Sequence, residues 1–542
     1  MITEIIKKSL TPIYSYLMSN YSSAEMEQIN IELKNMIDFC DADFIKINKR
    51  ISYDEIQNVL SSFNEKETKR KSNGVYYTPN DVVKFIYSNA IKSFHNNLKP
   101  TNLHVQDLNG IPYEKICYED TVFDPTCGAG EFLIVALGIK FDMADLHQDE
   151  VTCSDINKML STVFGNDIDN DSTTISKIRL FIYTLNRYGA NKITGISKVL
   201  NSLFTNIDFI NLDESYNKKY NIIIGNPPYV EDSKCETKPN KKYGNVYANV
   251  LENVSRCLSK SGTMGFIIPL SYVSTPRMSS IRNTLNSILS EQFILSYCDR
   301  PDCLFTSVHQ KLCILIGKSK ANNTSIIYTG NYQFWYKEER ENLFLVVPSI
   351  KNNYSKEDFI PKLGTDLDAS IYSKVINKPY KLYDVLNGNN ESIFLNMRAA
   401  FWIKAFRKEH QSGEYKLFKT KDSNQANLCM CLLNSSLFWW YWICVSDCWH
   451  ITHKELKGFT IPTIFDFSEL NKLALKLEKK LEKTKVYVGT KQTEYEYKHK
   501  ACIEEIREID ELINQIYGLT DEESIYIKNF AFKYRVSGGA NL

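Results

Sequence analysis

Between residues 74 and 320, short apolar runs alternate with segments of helix length. The runs are TVFDP from 121, TVFGND from 162, NIIIGNPP from 221, TMGFIIPL from 263, QFILSYCDR from 292 and KLCILIGKS from 311. Helix-length stretches such as Gly130 to Phe141, Ser172 to Arg187 and Tyr247 to Ser259 separate most of them. Runs that are apolar at successive positions belong to strands covered on both faces, so the alternation predicts βαβ units and a mainly parallel sheet. PDCLFTSVHQ, between the last two runs, has no room for a helix and predicts a hairpin at the sheet's edge.

Upstream, 2 to 19, 24 to 38 and 53 to 67 carry apolar residues at helical spacing and show no strand signal. After about 345 the pattern gives way to loops and short runs, beginning with a linker-like PSIKNNYSKEDFIPKLGTD. Leucines at 470, 473, 477 and 481 mark one late helix, and IEEIREIDELINQIYG, stopping at Gly518, marks a second that would pair with it. The expected organisation is a helical N-terminal segment (1–70), an α/β domain (71–345) and a mixed α+β domain ending in a helical hairpin (346–542).

Composition changes this picture little. The 542 residues, 43% apolar and 24% charged, are those of a globular chain too long for one ordinary domain. A net charge of +1 excludes a uniformly basic coat but leaves room for a local basic face. The fourteen cysteines are scattered, and MITEIIKKSLTPIYSYL is too charged for a secretory or membrane segment. SLFWWYWICV is about half the length a bilayer needs. These features lead us to expect a reduced, cytoplasmic protein with no membrane partner.

Three turns carry candidate chemistry. FDPTCGAGEFL (123–133) ends a strand at Asp124, passes Gly128 and Gly130, and opens a helix. Glycines there let backbone approach a ligand, and the helix start offers unpaired N–H groups. The third glycine of a dinucleotide fingerprint is missing, and a purely structural turn would look the same. VFGNDIDND ends the next strand with Asp167 and Asp169. An acid at a second strand tip suits ribose hydroxyls, and Asp167, nearer the strand, is the chosen ligand, whereas Asp169 reads most plainly as a helix N-cap. In NIIIGNPPYVEDSK, Asn226 follows a buried strand, Pro227 and Pro228 stiffen the chain and free its carbonyls, and Tyr229 adds a ring. An amide oxygen, a carbonyl and a ring would hold a planar ligand with an exocyclic amino group, although an ordinary Asn-Pro turn is the plainer reading.

In this order GVYYTP (74–79), DPTCGAGEFL, GNDID and NPPY resemble motifs X, I, II and IV of the γ-type amino-methyltransferases. That family transfers methyl from S-adenosyl-L-methionine to adenine N6 in DNA and includes modification enzymes of type II restriction-modification systems. The resemblance implies a Rossmann-like class I methyltransferase sheet. It also implies cofactor contacts from Tyr77, Thr78, Pro79, Asp124, Thr126, Cys127, Gly128, Gly130, Asp167 and Ile168. Where the family usually places an acidic DSL beside the cofactor's adenine, this chain has Asn201-Ser202-Leu203, keeping an acceptor without the charge. More faintly, residues 428–462 and the closing YGLTDEE are similar to target-recognition regions of the same enzymes.

On this reading Asn226 and Pro227 accept the hydrogens of an adenine N6, and Tyr229 stacks on the base after it leaves the duplex. Tyr247 is a second candidate for the pocket wall, or a core residue. Arg398, Lys404, Arg407, Lys408, Lys416, Lys419 and Lys421, interleaved with His410, Gln411 and Tyr415, suit phosphate and base contacts, as a solvated loop also would. Lys234, Lys238, Lys241 and Lys242 follow the Asn-Pro-Pro-Tyr turn and suit a closing loop. Cys429, Cys431, Cys444, Cys448, His450 and His453 lack a Cys-x2-Cys knuckle, so no metal is expected. Nuclease residues are not recognisable, so a cognate restriction endonuclease would be a separate chain. Rival readings are methylation of RNA or a protein glutamine, or a non-catalytic DNA-binding subunit; the intact Asn226–Tyr229 turn weighs against the last.

Overall fold

A computed structural model describes residues 4–37, 51–61, 78–101, 103–105, 108–305, 309–320, 325–410, 413–464, 466–490 and 494–537. The apolar runs become β1 (Val122–Asp124), β2 (Val163–Asn166), β4 (Tyr220–Gly225), β5 (Leu258–Pro269), β6 (Leu289–Tyr297) and β7 (Leu312–Ser319). Three short strands join them: β3 (Phe204–Thr205), β8 (Ile326–Thr329) and β9 (Ile350–Lys351). Among the described residues they form one sheet in the order β3-β2-β1-β4-β5-β7-β6-β8-β9. The pairs from β3 to β5 are parallel, and β7 runs antiparallel between β5 and β6.

The expected hairpin is therefore present, but the sheet does not end there. β8 pairs with β6 and β9 with β8, so the sheet reaches residue 351. The stretch read as a linker, from Pro348 to Asp366, is bound into this edge. Asn352 Nδ2 donates to Thr329 Oγ1 (2.9 Å) and Pro361 O (2.7 Å), and Thr329 Oγ1 donates to Leu363 O (2.8 Å). The two residues of β9 are too few to leave a periodic signal, and β8 was not read as a strand.

The helices packed along the sheet are α4 (Asn80–Phe94), α5 (Glu131–His147), α6 (Cys153–Leu160), α7 (Asn170–Tyr188), α8 (Ile196–Leu203) and α9 (Tyr247–Cys257). The N-terminal helices α1 (Glu4–Asn20), α2 (Ser23–Met36) and α3 (Tyr53–Ser61) bury Ile13, Leu17, Ile29 and Ile56 in one apolar cluster with Ile178, Leu185 and Ile196. Buried Glu32 of α2 accepts from Gly195 N (2.7 Å) and Ser197 N (2.9 Å), capping α8.

In the C-terminal part, Glu391–Asn396 pairs with Ala405–Phe406 and with Tyr415–Thr420. Helices Ser423–Asn434 and Ser436–Val445 meet at 63°; no single helix among the described residues is long and apolar enough to cross a membrane. The leucine and isoleucine stripes form Ser468–Thr484 and Ile503–Tyr517, bridged by Lys476 and Glu508 (2.5 Å). A small ribbon, Val486–Tyr487 with Tyr495–Glu496, lies between these helices and left no signal in the sequence.

Two histidines here make stability pH-dependent. His499 is fully buried with Nε2 2.9 Å from Asn434 Oδ1, and His410 sits among the rings of Phe406, Tyr415 and Tyr497. Burial holds His499 down to about 3 and His410 down to about 4, against an ordinary 6.5. Both folded values lie below the unfolded one, so this stability is complete above pH 6.5 and falls on acidification, as the unfolded chain takes up protons the folded chain refuses. The expected slope approaches about 1.4 kcal/mol per pH unit for fully buried His499, with a smaller, solvent-screened contribution from half-buried His410. Urea unfolding at pH 7.5, 5.5 and 4.5 measures it, and His499→Gln should flatten it by more than half; an unchanged slope in that variant contradicts the assignment.

Candidate functional site

The carboxyl ends of β1, β2, β3 and β4 converge on a cavity of about 230 Å3. β1 ends in Asp124, whose Oδ1 accepts from Thr126 N (3.0 Å) and turns the chain into the glycine loop. Gly130 starts α5 at φ +83°, and a Cβ there would lie 3.0 Å from Ser176 Oγ, which itself donates to Gly128 O (2.8 Å). Asp167 braces the loop from β2: Oδ2 accepts from Gly128 N and Oδ1 from Asp169 N, both at 2.9 Å. Asp169 caps α7, the plainer of its two readings, and also lines the cavity. Ile168, between them, is 63% exposed beside the opening.

Burial pushes the Asp124 carboxyl well above the usual range, opposed by the Thr126 amide and reinforced by the nearby Asp167 charge. Burial likewise pushes the Cys127 thiol up. From outside the sheet, buried Arg179 of α7 donates to Ala129 O (2.7 Å) and pairs with Glu131, while its Nε donates to Gln57 Oε1 of α3 (3.1 Å). Ser61, at the end of α3, reaches the cavity wall.

Asn166, at the end of β2 and only 1% exposed, ties the loops after β1 and β3 together. Its Nδ2 donates to Pro125 O (3.0 Å) and Ile207 O (3.1 Å); its Oδ1 accepts from Thr205 Oγ1 (2.7 Å) and Ile207 N (3.0 Å). The loop after β3 thereby brings Ile207, Asp208, Phe209 and Ile210 to the cavity. Asp208 Oδ1 accepts from Ile210 N (3.0 Å), and Phe209 packs edge-on against Phe123. Sequence reasoning missed this loop; an acid next to an aromatic, ahead of the Asn-Pro-Pro-Tyr strand, was the available signal. Asn201 and Ser202, expected at the cofactor's adenine, lie away from the cavity on exposed turns of α8. Asn201 Nδ2 donates to Asn35 O (2.8 Å) and its Oδ1 accepts from Lys177 Nζ (3.3 Å), while Ser202 Oγ donates to Val199 O (2.7 Å). α8 runs through Leu203, so β3 ends, and the cavity loop begins, several residues later.

β4 approaches β1 closely at its tip. A Cβ on Gly225 would lie 2.8 Å from Asp124 Oδ1 and 3.3 Å from the Phe266 ring, so the position before Asn226 admits only glycine without displacement. Asn226 Nδ2 donates to Thr78 Oγ1 (3.0 Å), and Thr78 is 2% exposed just before Pro79 and α4. Tyr77 lies outside the described residues. Asn226 and Pro228 line the cavity, and Pro227 is buried. Tyr229 is fixed by its hydroxyl, which donates to Ile267 O of β5 (2.7 Å). Tyr247 is fully buried with its hydroxyl 2.9 Å from Ser271 Oγ, and its ring backs Tyr229 at 6.5 Å and 87°. It is a core residue behind the turn, not part of the cavity wall.

Residues 231–245 fold over the opening, with Cys235, Glu236 and Thr237 against the cavity. Asp232 Oδ2 accepts from Gly244 N (2.6 Å), and Asn211 holds the segment through Lys238 O (3.1 Å) and Asn240 N (2.7 Å). Lys234 pairs with Glu231 and Lys241 with Glu252; Lys238 Nζ donates to two carbonyls of its own loop, and Lys242 is exposed.

The expected basic path divides. Arg407 is taken up internally by Glu391 (2.5 Å), Asn427 (2.7 Å) and Ser423 (3.0 Å), and burial pushes the Lys404 ammonium down. His410 and Tyr415 stack on each other, and Gln411 lies outside the described residues. Lys408, Lys416, Lys419 and Lys421 are exposed; Lys416 meets His453 (2.8 Å), and Arg398 meets Glu414 (3.1 Å). Cys429, Cys431, Cys444 and Cys448 are buried, and His450 faces Asp447 (3.2 Å). Among the described residues no group of three or more His, Cys, Asp or Glu is arranged to hold a metal.

Residues 161–303 match the Eco57I restriction-modification methylase family model. The chain is 23% identical over 294 residues to modification methylase CviBIII of Paramecium bursaria Chlorella virus NC1A, covering 52% of this chain and 59% of that protein. It is 22% identical over 223 residues to the type II methyltransferase M.VspI of Vibrio sp. (strain 343), covering 40% and 42% respectively. The matches thus span about half the length of these relatives. In fold, it superposes on the type IIL restriction-modification enzyme MmeI, solved in complex with DNA, with a TM-score of 0.52 at 12% identity, over 98% of this chain and 92% of that one. The sequence matches relate the chain to the modification methylases of restriction-modification systems.

Proposed function

We propose that the chain is a site-specific DNA methyltransferase that moves a methyl group from S-adenosyl-L-methionine to the N6 of an adenine swung out of the duplex. The observation that carries this reading is the seating of Asn226. It is a rigid amide at the wall of a cavity built from the glycine loop, Asp167 and the loop after β3.

The donor set fits the cofactor. Asp167 and Asp208 place carboxylates, and Asp124 a buried carboxyl, around a cavity whose remaining wall includes the apolar Phe132, Ile168, Phe209 and Ile210, matching a cationic ligand that carries hydroxyls and a flat ring. In this reading Asp167 takes the ribose hydroxyls, and Asp208 and Phe209 serve the ring. When bound, the cofactor supplies an electrophilic methyl on a sulfonium.

Adenine N6 is a poor nucleophile because its lone pair is delocalised into the ring. Asn226 Oδ1 and Pro227 O accept its two hydrogens, localise the lone pair and disperse the positive charge that develops as N6 attacks. Thr78 takes up the amide's N–H side, which turns Oδ1 toward the substrate. Tyr229, fixed by Ile267, offers its ring to the extruded base. The DNA would run over the exposed Lys408, Lys416, Lys419 and Lys421, and Arg407 holds the small sheet that presents them. A cognate restriction endonuclease, if the system has one, acts as a separate partner.

Expression in a methylation-free bacterium, followed by modification-sensitive sequencing, tests the reading. N6-methyladenine in one recurrent motif is expected. Unmodified DNA alongside methylated release factor or ribosomal RNA would sink it.

A further inference from the structure

Trp449 departs from the packing of the four buried tryptophans. Trp335, Trp439, Trp440 and Trp442 are buried, and each donates its indole N–H to a protein oxygen. Trp449 is 38% exposed, and its indole N–H has no acceptor among the described residues. Its backbone is nevertheless tightly held. Asp447 Oδ1 accepts from Trp449 N (2.9 Å) and His450 N (2.8 Å), and Trp449 O accepts from Ala399 N (3.1 Å). Cys448 before it adopts φ +56°, a left-handed conformation that a non-glycine residue keeps only where its surroundings fix it.

Two cations from the sheet face the ring. Lys311 Nζ lies 4.4 Å from the ring centroid and Arg300 Cζ 5.9 Å from it. Lys311 is paired with Asp299 (3.1 Å), whereas Arg300 has no carboxylate partner among the described residues. Both belong to the edge of the sheet that carries Asn226. Lys311 immediately precedes β7, and its carbonyl accepts from Leu270 N, just past β5 (3.0 Å); Arg300 follows β6. β7 stands two places from β4 in the sheet, roughly 10 Å at ordinary strand spacing. The cofactor cavity takes the tips of β1 to β4, and Trp449 stands over the other half of the same edge, beyond the Asn-Pro-Pro-Tyr turn.

We propose, resting on the DNA reading above, that Trp449 is a DNA-contacting residue: its indole stacks on a nucleotide flanking the extruded adenine, and Arg300 neutralises an adjacent phosphate. An exposed indole next to a guanidinium that has no carboxylate partner among the described residues matches a ligand made of flat rings joined by anions. An apolar protein surface would offer Arg300 nothing. The contact is also placed where a duplex loses stacking when one base leaves it.

Steady-state methylation of unmodified bacteriophage DNA by the full chain, with radiolabelled S-adenosylmethionine, separates the two substrates. Trp449→Ala is expected to raise the KM for DNA about tenfold, with the KM for the cofactor within about twofold and thermal unfolding unchanged. Trp449→Phe should recover most of the loss, and Arg300→Gln should lower the slope of log affinity against log salt by about one. A Trp449→Ala enzyme that binds and methylates DNA like the wild type overturns this proposal alone. So does one that loses cofactor and DNA together without rescue by phenylalanine, which would mark a folding role. A wild-type chain that neither binds nor methylates DNA overturns this proposal and the reading beneath it.

Discussion

Asn226→Ala should lower the rate of methyl transfer on the order of a hundred- to a thousandfold while leaving cofactor affinity nearly unchanged. The substitution removes an acceptor needed most when charge builds on N6, so the loss should appear in kcat and not in binding. It leaves Pro227, Pro228 and the packing of Tyr229 on Ile267 intact, so the turn keeps its shape. It also frees Thr78, whose hydroxyl is buried but adjoins the cavity, where water can replace the lost amide. Single-turnover transfer and calorimetric titration of the cofactor are the paired measurements. A variant that keeps a tenth of the wild-type rate would remove Asn226 from the chemistry, whatever becomes of binding.

The second large effect is expected on stability and cofactor binding together. Asn166→Ala strips partners from four polar groups at once: the carbonyls of Pro125 and Ile207, the amide of Ile207 and the hydroxyl of Thr205. Buried groups left without partners cost about 1–3 kcal/mol each, but the loops will relax and admit water, so a net loss of about 3–5 kcal/mol is expected. The same loops form the cavity, so cofactor affinity should fall by about tenfold or more even under conditions where the variant is folded. Asn166→Asp is the sharper comparison: it keeps the acceptor for Ile207 N and Thr205, loses both donors and buries a charge. Urea unfolding and cofactor titration report both effects. A loss of under about 1 kcal/mol in Asn166→Ala would mean that the two loops hold themselves.

What the sequence could disclose follows from where each residue finds its partners. The glycine loop and the Asn-Pro-Pro-Tyr turn were legible because their demands are local: positive φ at Gly130, fixed φ at Pro227 and Pro228, and no room for a Cβ at Gly225. The strands β1, β2, β4, β5, β6 and β7 and the helices between them were legible because burial on both faces writes apolar runs between helix-length segments. The loop from Ile207 to Ile210 was not, since the two-residue strand before it carries no period and α8 ends later than the Asn-Ser-Leu triplet suggested. Asn166 gave no sign of its role, because its partners come from loops 41 and 39 residues away. Nor could sequence separate Arg407 from Lys419. They carry the same charge, and only the fold supplies Glu391 and Asn427 to one and solvent to the other.

The way the chain leaves the sheet bears on how such proteins could exchange parts. The stretch after residue 345 looks like a seam where a new C-terminal half could be joined, yet it contributes β9, and Asn352 and Leu363 fasten it to Thr329. Lys362 reaches further still, donating to Ser446 O in the C-terminal half (2.8 Å). A crossover there would take the outermost strand from one parent and its neighbour from the other, exposing the raw edge of β8 unless the incoming segment matched it. Shuffling between relatives should therefore succeed more often when the junction falls beyond Leu363, so that the donated half arrives without a piece of the sheet.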